Sequence, residues 1–210
     1  MGPTRPDTAI ARAAVIDRLV AAQRLVQTDR AQALAALEAL FATGTLPETP
    51  LAGRYAGAIV ALMDLPLWRW LGTPRAARLR ACWQGKTFDP TRWRADNMVA
   101  RAALPLLHLL WPLYRGSIDD GPERVRVFPL RTSVAPGTTN PRQVVRRGDY
   151  DLPGNPRRSI RRSLDEMVQV GEELYLGKGY FRWWTGQWQV TLYFVLSREP
   201  IQELRTPLVV

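Results

Sequence analysis

The segment ELYLGKGYFRWWTGQWQVTLYFVL, residues 173–196, decides the fold class. Its two arms, Glu173 to Trp184 and Trp188 to Leu196, are rich in aromatic and branched apolar residues, and Thr185-Gly186-Gln187 between them supplies a glycine-centred turn. Two such arms joined by so short a loop form an antiparallel β-hairpin. An isolated hairpin is marginal in water, so this one needs further strands to cover its apolar side chains.

Upstream stretches supply them. Gly53 to Leu62, Ala81 to Phe88, Arg124 to Thr132 and Gln143 to Tyr150 each carry strand-like composition between turn residues, and Val125, Val127 and Leu130 alternate imperfectly with arginines. Six or so strands in sequence order can curl into a closed barrel, which removes the exposed edges of an open sheet. A barrel not filled by its own side chains holds one small ligand. Helical signals interrupt the strands at Pro66 to Leu71, at Asp96 to Tyr114, and from Asn155-Pro156 through Leu164. Residues 8–44 carry a helical stripe, including Ile10, Ala14, Leu19, Leu34, Leu37 and Phe41, broken near Thr28-Asp29 and ended by Gly44. The chain therefore reads as one α+β domain over residues 1–210. Helices at 8–44 pack outside a small antiparallel lipocalin-like β-barrel at 50–198, which carries one inserted helix near 96–115.

Two motifs within residues 50–90 resemble a known family. Gly53-Arg54-Tyr55-Ala56-Gly57 is similar to the G-x-W-x-G signature that opens some small lipocalin-like barrels, with tyrosine in place of tryptophan, and Trp83-Gln84-Gly85-Lys86-Thr87-Phe88-Asp89 resembles the W-x-G-K-x-F segment of the bacterial family named for that GxWxG motif. The resemblance implies a β-barrel and no particular activity. In it, the glycine pair lets the first strand bend and be crossed closely, and the aromatic between them plugs one barrel end.

Composition narrows the chemistry. Forty-six per cent hydrophobic and 23 per cent charged residues describe an ordinary globular chain. The lone Cys82 excludes an internal disulfide framework and fits a reducing compartment, and with one histidine there is no histidine-rich or cysteine-based metal site. The first residues, MGPTRPDT, lack the apolar stretch of a secretory signal, so a cytoplasmic location is the expectation. A formal charge of +10 favours anionic partners, but no nucleic-acid motif accompanies it. No nucleophile elbow, phosphate loop or dinucleotide fingerprint is present, and no cofactor is expected.

Of 29 basic residues only Lys86 and Lys178 are lysine, and both follow glycine and stand among aromatics. A lysine kept where arginine is the habit suggests a compact cation for a ligand head group, a Schiff base or a proton transfer; the bland alternative is a stem packed on aromatics with its ammonium in water. The ligand-binding candidates around them are Tyr55, Trp83, Lys86, Phe88, Tyr175, Lys178 and Tyr180. His108, in Leu-Leu-His-Leu-Leu-Trp, either faces a pocket or is a satisfied half-buried side chain. Asp149-Tyr150-Asp151 and Asp165-Glu166 offer carboxylates; Asp149 and Asp151 share a face if extended, or serve a turn. Arg157, Arg158, Arg161 and Arg162 would form a stripe on a helix after Pro156, with Arg146 and Arg147 upstream, as an anion patch for lipid or an acidic protein, or simply as a solvated face.

Three functions fit these residues. The first is a binding or carrier protein for a small apolar ligand whose acidic head meets Lys86, Lys178 or nearby arginines. The second is an isomerase- or cyclase-type enzyme on a similar molecule, using Lys86, Lys178, His108, Asp151 or Tyr175 for acid/base chemistry. In the third, a peripheral membrane or assembly protein, Met98 to Tyr114 with flanking Arg94, Arg101 and Arg115 lies at the inner membrane surface, and self-association is open.

Overall fold

A computed structural model describes residues 6–47, 49–63 and 82–205; the expected short helix at Pro66 to Leu71 lies outside them. Helices α1 (Pro6–Thr28) and α2 (Arg30–Thr43) come first. Strands β1 (Gly53–Leu62), β2 (Trp83–Asp89) and β3 (Arg94–Ala100) follow, then a short 3-10 turn and helix α3 (Leu104–Leu110). The remaining strands are β4 (Ile118–Asp119), β5 (Arg124–Pro136), β6 (Val144–Asp149), β7 (Ser163–Gly171), β8 (Leu174–Arg182) and β9 (Trp188–Ser197), and a four-residue helix α4 (Gln202–Arg205) closes the described chain.

Eight strands close an antiparallel barrel in the order β1, β2, β3, β5, β6, β7, β8, β9 and back to β1, while the two-residue β4 pairs only along β5. The sequence counted about six. The two it missed are β3 and β7. Residues 96–100 belong to β3 and not to a helix, because β3 is paired along both edges, Asn97 standing opposite Lys86 of β2 and Val127 of β5. Two ladders outweigh a weak local helical pattern. Only the 3-10 turn Arg101–Ala103 and the seven residues of α3 remain helical in that insertion. After Pro156 the chain likewise makes just a 3-10 turn, Ile160–Arg162, before β7 begins at Ser163. A stripe of arginines at helical spacing therefore does not form there.

The barrel has two cores. Inside it pack Tyr55, Phe88, Val127, Met167, Tyr175 and Phe194. Outside it, Leu19 and Ala22 of α1 and Leu37, Leu40 and Phe41 of α2 cover Val60, Val168, Leu176 and Val195. Strands β7 to β9 and β1 are thus covered on both faces, which explains why β8 is buried without interruption from Leu174 to Tyr180. Asp29 caps α2 by accepting from the Gln32 amide at 2.9 Å. Among the described residues no helix is long and apolar enough to cross a membrane.

One ion pair fastens α2 to the barrel. Lys178 points outward from β8, its Nζ 2.6 Å from Glu38 Oε1 and 4.0 Å from the centre of the Phe41 ring, and Tyr193 donates to Glu38 Oε2 at 2.6 Å. Burial raises the Glu38 carboxyl, but its hydrogen bonds from Lys178 and Tyr193 and the Lys178 charge together hold it below its usual 4.5. A carboxylate lowered in this way contributes fully above pH 4.5, and its contribution is lost as pH falls through the folded value. Glu38→Ala should strand the buried Lys178 and cost about 2 kcal/mol in urea unfolding, less than for a fully buried pair because Glu38 is half exposed. The difference between wild type and variant should narrow below pH 4.5; a constant difference would show that the pair does not act through charge.

A polar floor beneath an apolar cavity

The inward faces of β2, β3 and β7 bring a second lysine to a different end. Lys86 is 1 % exposed, and its Nζ lies 2.7 Å from Asn97 Oδ1, 2.6 Å from the Tyr150 hydroxyl and 2.8 Å from Asp165 Oδ2. Trp83, Tyr150 and Phe194 surround the same ammonium, with ring centres 5.2 to 5.8 Å away. Trp83 Nε1 donates to Asn97 Oδ1 at 3.0 Å, Asn97 Nδ2 donates to the Phe128 carbonyl at 3.2 Å, and Tyr150 donates to Asp165 Oδ2 at 2.7 Å. Burial, and then the Asp165 charge, raise the Tyr150 hydroxyl well above its ordinary 10, so it stays a neutral donor.

Local sequence makes this packing possible. At Gly85 the backbone has φ +126°, and a Cβ there would strike the Tyr55 carbonyl of β1. A Cβ at Gly57 would lie 2.5 Å from the Trp83 ring, so the β1 glycine lets that indole cross its backbone. Gly177, before Lys178, makes the same kind of room for the Phe194 ring. The glycines that precede both lysines are therefore explained by close packing.

Above the floor is a cavity of about 230 Å³. Its walls are largely apolar: Ile59, Leu62, Val99, Phe128, Leu192 and Phe194 come from strands or their ends, Leu107 and Trp111 from the α3 segment, and Ile160 from the 3-10 turn. Trp111 Nε1 donates to Ser159 Oγ at 2.8 Å, tying these two covering segments together. Below the floor the barrel is filled. Tyr55 packs edge-on against Phe88 and Tyr175, with ring centres 5.6 and 5.5 Å away, and Arg198 stacks over Tyr55 from outside.

The expected site residues separate accordingly. Trp83 and Lys86 reach the cavity. Tyr55, Phe88 and Tyr175 form the plug, and Tyr175 is remote from any cavity chemistry. Tyr180 borders the cavity, but its hydroxyl donates to Glu166 at 3.1 Å. Lys178 is excluded from the lumen by its place under α2. His108 is exposed on α3, whose Leu107 is the residue turned to the cavity. Asp151 is exposed and held by Arg161 at 2.6 Å, and its amide donates to Asp149 Oδ1, so this pair serves a turn.

The anion patch is not assembled either. Arg146 is buried beside the Trp93 ring, where burial lowers its pKa, and Arg147 bonds the Pro136 carbonyl and faces Glu166. Arg162 donates to the Arg182 carbonyl, and only Arg157 and Arg158 stay exposed. Sequence reasoning missed Asn97 and Tyr150 as members of the site, and it offered Asp165 as a carboxylate without placing it beside Lys86. One signal was available: consecutive carboxylates Asp165-Glu166 within an apolar run point to opposite faces of a strand, so each needs its own buried partner.

Comparison with known proteins finds no matching family model, no matching curated protein and no matching solved structure.

Removing one member of the floor should hurt more than removing the pair. Lys86→Met leaves Asp165 buried without its cation and should cost about 3 kcal/mol. Adding Asp165→Leu should recover at least half of that loss, read as a positive coupling in a double-mutant cycle by urea unfolding. Additive losses would show that the two charges do not depend on one another.

Proposed function

We propose that the barrel is a binding or carrier protein for one small apolar molecule, held in the cavity above Lys86. The observation that carries this reading is the pairing of a hydrocarbon-walled volume with a floor whose charges balance. Water gains little from such walls, whereas an apolar body placed there leaves water and meets close contacts. The acidic head suggested by the lysines fits in one form only. Lys178 is outside the lumen, and Lys86 already has a carboxylate and two further acceptors. A second carboxylate would sit beside Asp165, so an acid enters as the neutral, protonated species.

A second reading is an enzyme of the isomerase type, and Asp165 favours it. A carboxylate facing an apolar cavity can take a proton from a substrate carbon and return it to another, leaving the enzyme unchanged. Turnover of a bound compound, abolished in Asp165→Asn with binding retained, would move the protein to this class.

The carrier reading is tested by calorimetric titration with 4-butylphenol and butylbenzene. Saturable one-to-one uptake of at least one, with a negative heat-capacity change, is expected. Leu192→Trp should fill the cavity and abolish that uptake while the fold persists by circular dichroism. Uptake of neither compound, or uptake unchanged in Leu192→Trp, would remove the cavity as the binding site.

A further inference from the structure

We infer that the ligand is a neutral hydroxyl compound, an alcohol or phenol on an apolar body about the size of one ring, and that Asp165 selects it by accepting a hydrogen bond from the hydroxyl. This rests on the cavity-binding reading above. Every donor in the floor is already spent within it. The ammonium of Lys86 faces three acceptors, Trp83 donates to Asn97, Asn97 donates to Phe128 and Tyr150, and Tyr150 donates to Asp165 Oδ2. An acceptor remains. Both contacts of the Asp165 carboxylate fall on Oδ2, while Oδ1 takes no hydrogen bond from any described residue and is not among the sealed, unpartnered polar atoms. Asp165 itself lines the cavity.

The neighbouring strand keeps that oxygen approachable. Gly179 stands opposite Asp165 across β7 and β8 and also lines the cavity. A Cβ at Gly179 would lie 3.3 Å from Asp165 Oδ1 and 2.9 Å from Leu192 Cγ. Gly179 is outside the left-handed region, so what the missing side chain provides is space. Ser163, two residues before Asp165 on the same face, adds a hydroxyl with no side-chain hydrogen bond among the described residues, about 6.6 Å along the strand.

Charge and hydrogen-bond complementarity then rank the alternatives, and a protonated acid, though also a hydroxyl donor, is scarce because carboxylic acids are almost wholly ionised at pH 7.5. A carboxylate brings like charge to Asp165, and an ammonium brings like charge to Lys86. A ketone or ether placed at Asp165 Oδ1 turns lone pairs toward a lone pair and strips water from a carboxylate oxygen without replacing the hydrogen bond, even where the Ser163 hydroxyl could serve its other side. A hydroxyl donates to it in a short, charge-assisted bond. The cavity lies between the ~150 Å³ that accepts benzene and the roughly 300 Å³ at which drug-sized pockets begin, which sets the one-ring body.

The test compares 4-butylphenol, its methyl ether 4-butylanisole and 4-butylbenzoate at pH 7.5 on the full chain. The phenol should bind roughly tenfold or more tightly than the ether, the cost of burying an acceptor unpaired, and the benzoate should bind weakest. Asp165→Asn should abolish the preference for phenol over ether. Because that variant leaves Lys86 without its carboxylate and can fail to fold, Gly179→Ala provides an independent arm with the floor intact. It should weaken the phenol roughly tenfold while the fold persists by circular dichroism, with any fall in the melting transition reporting only the displacement of Leu192. An ether that binds as well as the phenol, a benzoate that binds best, or a Gly179→Ala variant with wild-type phenol affinity overturns the hydroxyl assignment and leaves the carrier reading standing. Binding of none of the three overturns the hydroxyl assignment, and refusal of butylbenzene as well overturns both.

Discussion

The contact between Lys86 and Asp165 organises the interior because it spans the barrel. Counting round the ring from β2, β7 is four strands away in either direction, so the two residues face each other from opposite walls. Their contact requires closure, and closure brings Asn97 from β3 and Tyr150 from the end of β6 into the same cluster. Taking both ions from water costs several kcal/mol each, and the low dielectric repays this only with good geometry and further hydrogen bonds. Here the ammonium has three oxygen partners and three surrounding rings. The cluster also partitions the lumen. Aromatic rings fill one side, and the other side remains empty of protein and is covered by the α3 segment.

The two lysines make complementary use of the barrel wall. Lys86 points in and Lys178 points out, and the adjacent carboxylates Asp165 and Glu166 divide between the same two faces. On the inner face the charge pairing joins strand to strand. On the outer face it joins strand to helix, through Glu38, with Tyr193 completing the carboxylate. A chain that otherwise uses arginine has a physical reason to retain lysine at position 86. A compact ammonium satisfies three convergent acceptors in a narrow lumen, whereas a planar guanidinium presents its donors in a wide fork. Among the described residues the one buried arginine, Arg146, lies beside the Trp93 ring.

Where sequence and structure agree, local pattern and tertiary environment ask for the same thing. The hairpin of β8 and β9 and the bounds of β1 were legible because aromatic and branched residues run between strong turn residues. An aromatic plug at Tyr55 was what the resemblance of the Gly53–Gly57 segment implied, and Tyr55 does pack there against Phe88 and Tyr175. The cavity floor was not legible. Asn97 and Asp165 are polar residues on buried faces, so they break the alternation by which a strand is recognised, and β3 and β7 vanish from the pattern for the same reason that they matter. His108 misled in the opposite sense: its apolar neighbours suggested burial, but on a seven-residue helix only Leu107 is buried and the histidine faces out.

Stability alone does not account for this floor. Replacing a buried ion pair by well-packed apolar side chains of similar volume is often neutral or stabilising, so a barrel selected only to stay folded had a simpler option in Leu, Met or Phe. Lys86 brings the cost of its own burial, Asn97 and Tyr150 are committed to satisfying it, and Gly85 makes room for the strand that carries it. An apolar strut would have needed none of these. What it would lack is a fixed hydrogen-bond acceptor at the base of a hydrocarbon-walled cavity. Lys86 and Tyr150 hold one carboxylate oxygen of Asp165 in place, and the glycine opposite leaves the other approachable. A polar group fixed by its partners before any ligand arrives needs little reorganisation when one binds. The floor thus gives the barrel both a contact between its opposite walls and a fixed acceptor beneath the cavity, and an apolar strut would supply only the first.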